Sequence, residues 1–256
     1  MIAALALAAG GIVSDNPCID AILAEVARPA QLRAISRYSQ DARSTSVPLV
    51  WARRFPATGG TAEEIVLLRP ALYLTGNLTP APTRTAVRRL GIRTVEFAAP
   101  RTIADSRVQI LQVAALTGNV PAGQRLVARI DAAVAHAHST RLPLPALVWQ
   151  GGGLVAGPGG IADELLRTAG FRNRARAYGL AAWGGLPLER VIFAPPRVIF
   201  TPLIGEQPRA AALRSRAFAR LPEVQFADFP DQLLFCGGPT IIRALDRLSA
   251  VRRSLP

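Results

Sequence analysis

The sequence predicts an α/β fold of two lobes, each with a central, mostly parallel sheet, joined by a helix. Three observations predict it. Strand and helix patterns alternate through the first 98 residues. Two amphipathic helices then follow each other with no strand between them. Alternation resumes after the proline-rich "RLPLP". A strand–helix alternation implies parallel strands with helices covering both faces of the sheet. The expected division is residues 1–101 for the N-terminal lobe, 102–118 for the joining helix and 119–256 for the C-terminal lobe.

The elements follow in order. "GGIVSD" is a short apolar strand ending in turn chemistry. "NPCIDAILAEVA" is a helix, with Pro17 at its start and Ile19, Ile22, Leu23 and Val26 at helical spacing. "LRAIS" is a second strand, and residues 39 to 60 read as a long polar loop. A helix over 62–68 leads into a strand over 71–75. "TRTAVRRLG" is a helix closed by Gly91, and "IRTVEF" is a strand. The joining helix is "RTIADSRVQILQVAALTG", and "PAGQRLVARIDAAVAHAHS" follows it. In the second lobe, strand "ALVWQ" and the glycine-rich "GGGLVAGPGG" precede helix "IADELLRTAG". A loop, helix "LPLERVIF", strand "RVIF", helix "PRAAALRSRAFARLP", strand "VQFAD" and helix "PTIIRALDRLSAV" complete it.

Composition excludes several classes. Half of the residues are hydrophobic, enough for a sizeable core and too many for a disordered chain. The formal net charge is +13, and all 30 basic residues are arginine. These arginines are scattered, with no block of five or six like charges, so no nucleic-acid partner is expected. The two cysteines, Cys18 and Cys236, form no CxxC motif. His136 and His138 stand together at a helix end without a nearby third ligand, so no metal site is expected. The opening "MIAALALAAG" is too short to span a bilayer. It is similar to the apolar part of a secretory leader without its charged start, as a misplaced start codon would produce.

The glycine-rich "GGGLVAGPGG" sits between strand and helix, where phosphate-binding loops occur. It lacks GxxxxGK[ST], and the chain has no lysine at all. It therefore reads as a turn needing positive φ or as the wall of a binding site. No GxSxG is present, and two adjacent histidines make a poor nucleophile–base pair. No catalytic residue is assigned. Asp20, Asp105 and Asp163 lie near helix starts, where a carboxylate favours the helix dipole. Trp183, among glycines in "AAWGG", calls for a ligand or a loop to cover it. The phrases "TAEEIVLLRPALYLTG" and "LPLERVIFAPPRVIF" repeat an acid-led helix and a strand at comparable places in the two lobes.

Six stretches, in order, resemble one family: "IVSDNPCIDAILAEVARPAQLRAIS", "GGTAEEIVLLRPALYLTG", "RRLGIRTVEF", "GPGGIADELLRTAGFRN", "GLPLERVIF" and "LLFCGGPTIIRAL". The family is that of the vitamin B12-binding and iron-siderophore-binding periplasmic proteins of ABC importers. The cobalamin-binding subgroup is the most similar, and the resemblance runs from about Ile12 to Val251. It implies the class III architecture, with a rigid bridging helix matching 102–117 and a ligand in the cleft between the lobes. It implies a periplasmic monomer without enzymatic activity or resident cofactor, whose ligand is a cobalamin-like corrinoid or a ferric chelate. Expected ligand contacts are Tyr38, Trp149, Gln150, Trp183 and Phe235. Glu63 and Glu189 match the family's two docking glutamates, which meet arginines of the inner-membrane permease. Two departures stand out. Ala57 and Gly76 occupy positions where the cobalamin binders carry aromatics, which leaves siderophore or heme binding open. Cys18 and Cys236 both fall near the cleft. A disulfide is chemically permitted in an oxidising periplasm, but two separate, partly buried thiols are the expectation. "DNPC" does not fit a lipid-attachment site.

Two other classes remain. An enzyme on a two-lobed α/β scaffold, such as a glycosyltransferase, would need an acidic metal or phosphate site, and none is evident. A non-transport binding or sensory module would be indifferent to charge reversal at Glu63 and Glu189.

Overall fold

The structure is a computed structural model and describes residues 10–77, 79–150, 153–202, 221 and 223–256. The chain divides into two compact units. The first holds the described residues up to Pro100, Ala104–Ile130 and Phe235–Thr240. The second holds the described residues of Arg101–Ile103, Asp131–Leu234 and Ile241–Pro256.

The first unit is built on five strands: β1 (Ile12–Ser14), β2 (Leu32–Ser36), β3 (Ala57–Thr58), β4 (Leu72–Gly76) and β5 (Thr94–Phe97). They lie in the order β3-β2-β1-β4-β5, and every pairing is parallel. Between them run helices α1 (Pro17–Val26), α2 (Leu49–Ala52), α3 (Ala62–Leu68) and α4 (Ala81–Arg89). β1 and β4 are buried along their whole length, as strands covered on both faces must be. Val13, Ala34, Ile65, Tyr73 and Val87 form one core cluster. α1 begins where sequence chemistry asks. The Asn16 side chain accepts the backbone N–H of Cys18 at 3.0 Å, Pro17 fills a position with no helical donor, and Ile19, Ile22, Leu23 and Val26 are buried. Each of these side chains stabilises the unit by about 1.5–3 kcal/mol through withdrawal from water. The segment expected as a plain loop, 39–60, contains α2 and β3.

α5 (Ile103–Leu116) is the helix expected to join the lobes, and from Ala104 onward it groups with the first unit. α6 (Val120–Ala137) starts in the first unit, where Arg129 meets Glu25 at 2.7 Å, and passes into the second after Ile130.

The second unit has a four-stranded parallel sheet of β6 (Leu144–Val148), β8 (Phe171–Asn173), β10 (Val198–Thr201) and β11 (Gln225–Asp228), in the order β11-β10-β6-β8. A separate antiparallel ribbon pairs β7 (Leu154–Val155) with β9 (Gly184–Gly185). Its helices are α7 (Ile161–Thr168), α8 (Leu188–Phe193), α9 (Gln232–Phe235) and α10 (Thr240–Ser254), with only Phe235 of α9 and Thr240 of α10 in the first unit. Phe171, Phe200 and Phe229 stack edge-on at centroid distances of 5.0 and 5.7 Å. β8 falls in the stretch expected to be a loop: three residues are too few to show an alternation. Of the helix expected over 208–222 only Leu221 is described, and the leader-like residues 1–9 lie outside the described residues.

One expectation is corrected. Cys18 and Cys236 are not separate thiols; they form a disulfide, with Cα atoms 4.9 Å apart across 218 residues of sequence. The bridge joins the first turn of α1 to the short Phe235–Thr240 segment, which belongs to the first unit although the chain on either side of it belongs to the second. The close approach depends on glycine. Gly238 adopts φ +65°, and a Cβ there would lie 2.9 Å from the Ile22 side chain. Its N–H donates to Ser106 Oγ at 2.7 Å, and Ser46 Oγ donates to Cys236 Sγ at 3.4 Å.

Candidate functional site

In the first unit β2 ends at Ser36, and the chain makes a 3-10 turn over Arg37–Gln40. Tyr38 stands at this turn, 46% exposed. The Arg37 guanidinium lies over its ring at 5.2 Å and donates to its hydroxyl at 3.4 Å. The turn is held from beneath by one buried carboxylate. Asp20, on α1 and fully buried, accepts the Ser36 N–H at 2.9 Å and the Ser39 hydroxyl at 2.6 Å. Burial raises the Asp20 pKa from the ordinary 3.8 to about 7, against the opposing pull of these hydrogen bonds. Asp15, whose pKa burial also raises, accepts the hydroxyls of Tyr73 at 2.5 Å and Thr79 at 2.6 Å. Sequence pattern marks Asp20 only as a helix-start acid. Its work on the turn is tertiary, and no spacing announces it.

α3 shows why two adjacent acids differ. Thr61 caps the helix through the Glu64 N–H. The Glu64 carboxylate turns back to accept Thr58 Oγ1 at 2.8 Å and the Gly59 N–H at 2.7 Å, which lowers its pKa. Glu63 is exposed and has no partner among the described residues.

The second unit repeats the arrangement. α8 starts after Pro187, and Glu189 in its first turn is exposed and without a partner among the described residues. Its neighbour Arg190 is engaged, donating to the Tyr178 carbonyl at 2.8 Å. Trp183, 45% exposed, immediately precedes β9. Trp149, expected as a ligand wall, is only 6% exposed. It lies in the core cluster with Leu147, Val155, Tyr178 and Leu186, because the chain after β6 folds back and bridges Trp149 to Val155. Gln150 is buried as well. Its N–H donates to the Leu154 carbonyl at 2.7 Å, while its side-chain nitrogen has no partner among the described residues. The side chain of Phe235 lies outside the described residues.

The glycine-rich stretch serves backbone geometry. Gly153 and Gly159 have positive φ, and a Cβ on Gly157 would collide with the backbone of Ala182. Residues 151 and 152 are outside the description. Among the described residues no cluster of three His, Cys, Asp or Glu side chains could hold a metal ion. No described helix is long and apolar enough to cross a membrane.

Two α/β units, each built on a parallel sheet covered by helices, match the class III architecture of periplasmic binding proteins. The sequence model of the family described as "Periplasmic binding protein" matches residues 12–208, and the chain belongs to that family. Among solved structures it is similar to the periplasmic heme-binding protein RhuT from Roseiflexus sp. RS-1 in apo form. That likeness has 22% identity and a TM-score of 0.76, and covers 95% of this chain and 98% of that one. It is similar to the periplasmic heme-binding protein HutB of Vibrio cholerae at 17% identity and a TM-score of 0.76, covering 94% and 97% of the two chains. It is also similar to the periplasmic vitamin B12-binding protein BtuF of Vibrio cholerae at 17% identity and a TM-score of 0.74, covering 96% and 98%. Among curated proteins none matches.

Proposed function

We propose that this chain is the periplasmic solute-binding component of an ABC importer, taking a corrinoid or ferric-siderophore ligand and delivering it to an inner-membrane permease. The match of the periplasmic binding protein family over residues 12–208 carries the proposal. Tyr38 with Arg37 in the first unit and Trp183 in the second supply exposed aromatic faces and a cation, the chemistry that a large, flat, partly anionic chelate needs. Gln150 adds a buried, unpaired amide nitrogen among the described residues. The protein does no chemistry on its ligand and carries no resident cofactor. It acts as a monomer and docks on the permease through Glu63 and Glu189. Carboxylates facing basic partners across an interface fix register and raise the rate of encounter.

Heme is the second reading. The solved heme-binding relatives favour it, and a phenol such as Tyr38 is an established type of iron ligand.

Equilibrium titration with cyanocobalamin, ferrichrome and hemin, followed by tryptophan fluorescence and visible absorption, tests the assignment. One of the three is expected to saturate the protein. Trp183→Ala should weaken that ligand about tenfold, the worth of one lost stacking contact. Absence of saturation by all three overturns the ligand class. Glu63→Arg with Glu189→Arg should leave ligand affinity unchanged and abolish stimulation of the importer ATPase.

A further inference from the structure

The two docking helices share more than an acid. In α3 the order is Glu63, Glu64, Ile65, Val66, Leu67; in α8 it is Glu189, Arg190, Val191, Ile192, Phe193. In both, the residue two positions after the first glutamate is a β-branched side chain with no exposure, Ile65 or Val191, which pins the helix to its own unit. In both, the residue four positions after the glutamate is a large apolar side chain left in solvent. Leu67 is 79% exposed and Phe193 is 89% exposed. Positions i and i+4 lie on one helix face, a turn apart. Each unit therefore presents an unpaired carboxylate beside an uncovered hydrophobe, in the same register. Burying the Phe193 ring against a partner would gain the transfer free energy that the fold leaves unrealised.

Charge indicates what covers these faces. The protein carries thirty arginines; Glu25, Asp163 and Glu223 each meet one, and Glu96 meets two. Glu63 and Glu189 remain unpaired among the described residues, which leaves both carboxylates available to cationic groups of a partner. We infer that Leu67 and Phe193 are apolar anchors which, one helical turn beyond each docking glutamate, insert into apolar sockets flanked by arginines on the permease. This rests on the docking role proposed above for Glu63 and Glu189. The glutamates steer and set register, while the anchors supply the buried area from which residence time comes.

Leu67→Ser with Phe193→Ser tests it in the intact protein, against the permease–ATPase complex of the same genome reconstituted in lipid nanodiscs. Both side chains are exposed, so thermal unfolding and affinity for the ligand found by titration should match the parent. The protein concentration for half-maximal ATPase stimulation should rise at least about tenfold, as expected for two buried side chains lost from an interface. An unchanged half-maximal concentration overturns the anchor role. If the double glutamate reversal still abolishes stimulation, docking survives and only the anchors fail; if it too is silent, the docking role fails with them. Sedimentation showing a parent dimer that the serine variant dissolves would overturn the proposal in favour of a second copy as occupant.

Discussion

Asp20 shows how a single residue links fold to site. It belongs to the buried face of α1, yet it accepts two hydrogen bonds from the turn that carries Arg37 and Tyr38. Its pKa, raised by burial to about 7, makes the link depend on pH. The unfolded chain ionises this group near its ordinary value of 3.8, while the folded chain keeps the proton until about pH 7. The contribution of Asp20 to stability is thus full below the unfolded value and is lost as pH rises to about 7. Asp20→Asn removes that titration. Urea midpoints measured from pH 4 to 8 should show the parent losing stability relative to the variant up to about pH 7 and holding a constant difference above it. Parallel curves would contradict the assignment. At this scale the sequence is a partial guide. It picks out Glu63 correctly as an acid in a first turn, but cannot say that Glu64 beside it is consumed by Thr58 and Gly59. Trp149 and Trp183 look alike as tryptophans near strands, and only the fold-back to Val155 makes one of them core.

Elements were legible in proportion to their periodicity. α3 and α10 announce themselves because their apolar residues repeat a period near 3.6, and because Thr61 caps α3. β3, β7 and β8 have two or three residues each, and their pairing is imposed by neighbouring strands. The Cys18–Cys236 bridge was illegible for a different reason: it joins segments 218 residues apart, a separation that only tertiary packing brings to 4.9 Å. Closing so long a loop restricts the unfolded chain strongly. Cys18→Ser with Cys236→Ser is expected to cost about 2–5 kcal/mol by denaturant unfolding under oxidising conditions. A reducing buffer should bring the parent to the same value. A variant as stable as the oxidised parent would show that the bridge constrains little beyond what Gly238, Ser106 and Ile22 already hold.

For the whole molecule, the two-unit parallel α/β plan follows from the alternation of strands and helices and from the pair of consecutive helices α5 and α6. The boundary is less simple than three consecutive stretches, because Phe235–Thr240 returns to the first unit and is stapled there. Composition is silent on the ligand, since arginine excess suits several anionic chelates equally. In the proposed role, function at this scale is handover of a captured solute. Uptake into proteoliposomes containing the importer tests it most directly, using whichever of cyanocobalamin, ferrichrome or hemin the protein binds. Adding the loaded protein should make uptake saturable and ATP-dependent, and the Glu63→Arg, Glu189→Arg form should not support it. Uptake that proceeds at the same rate with or without the protein would contradict its role as the importer's binding component.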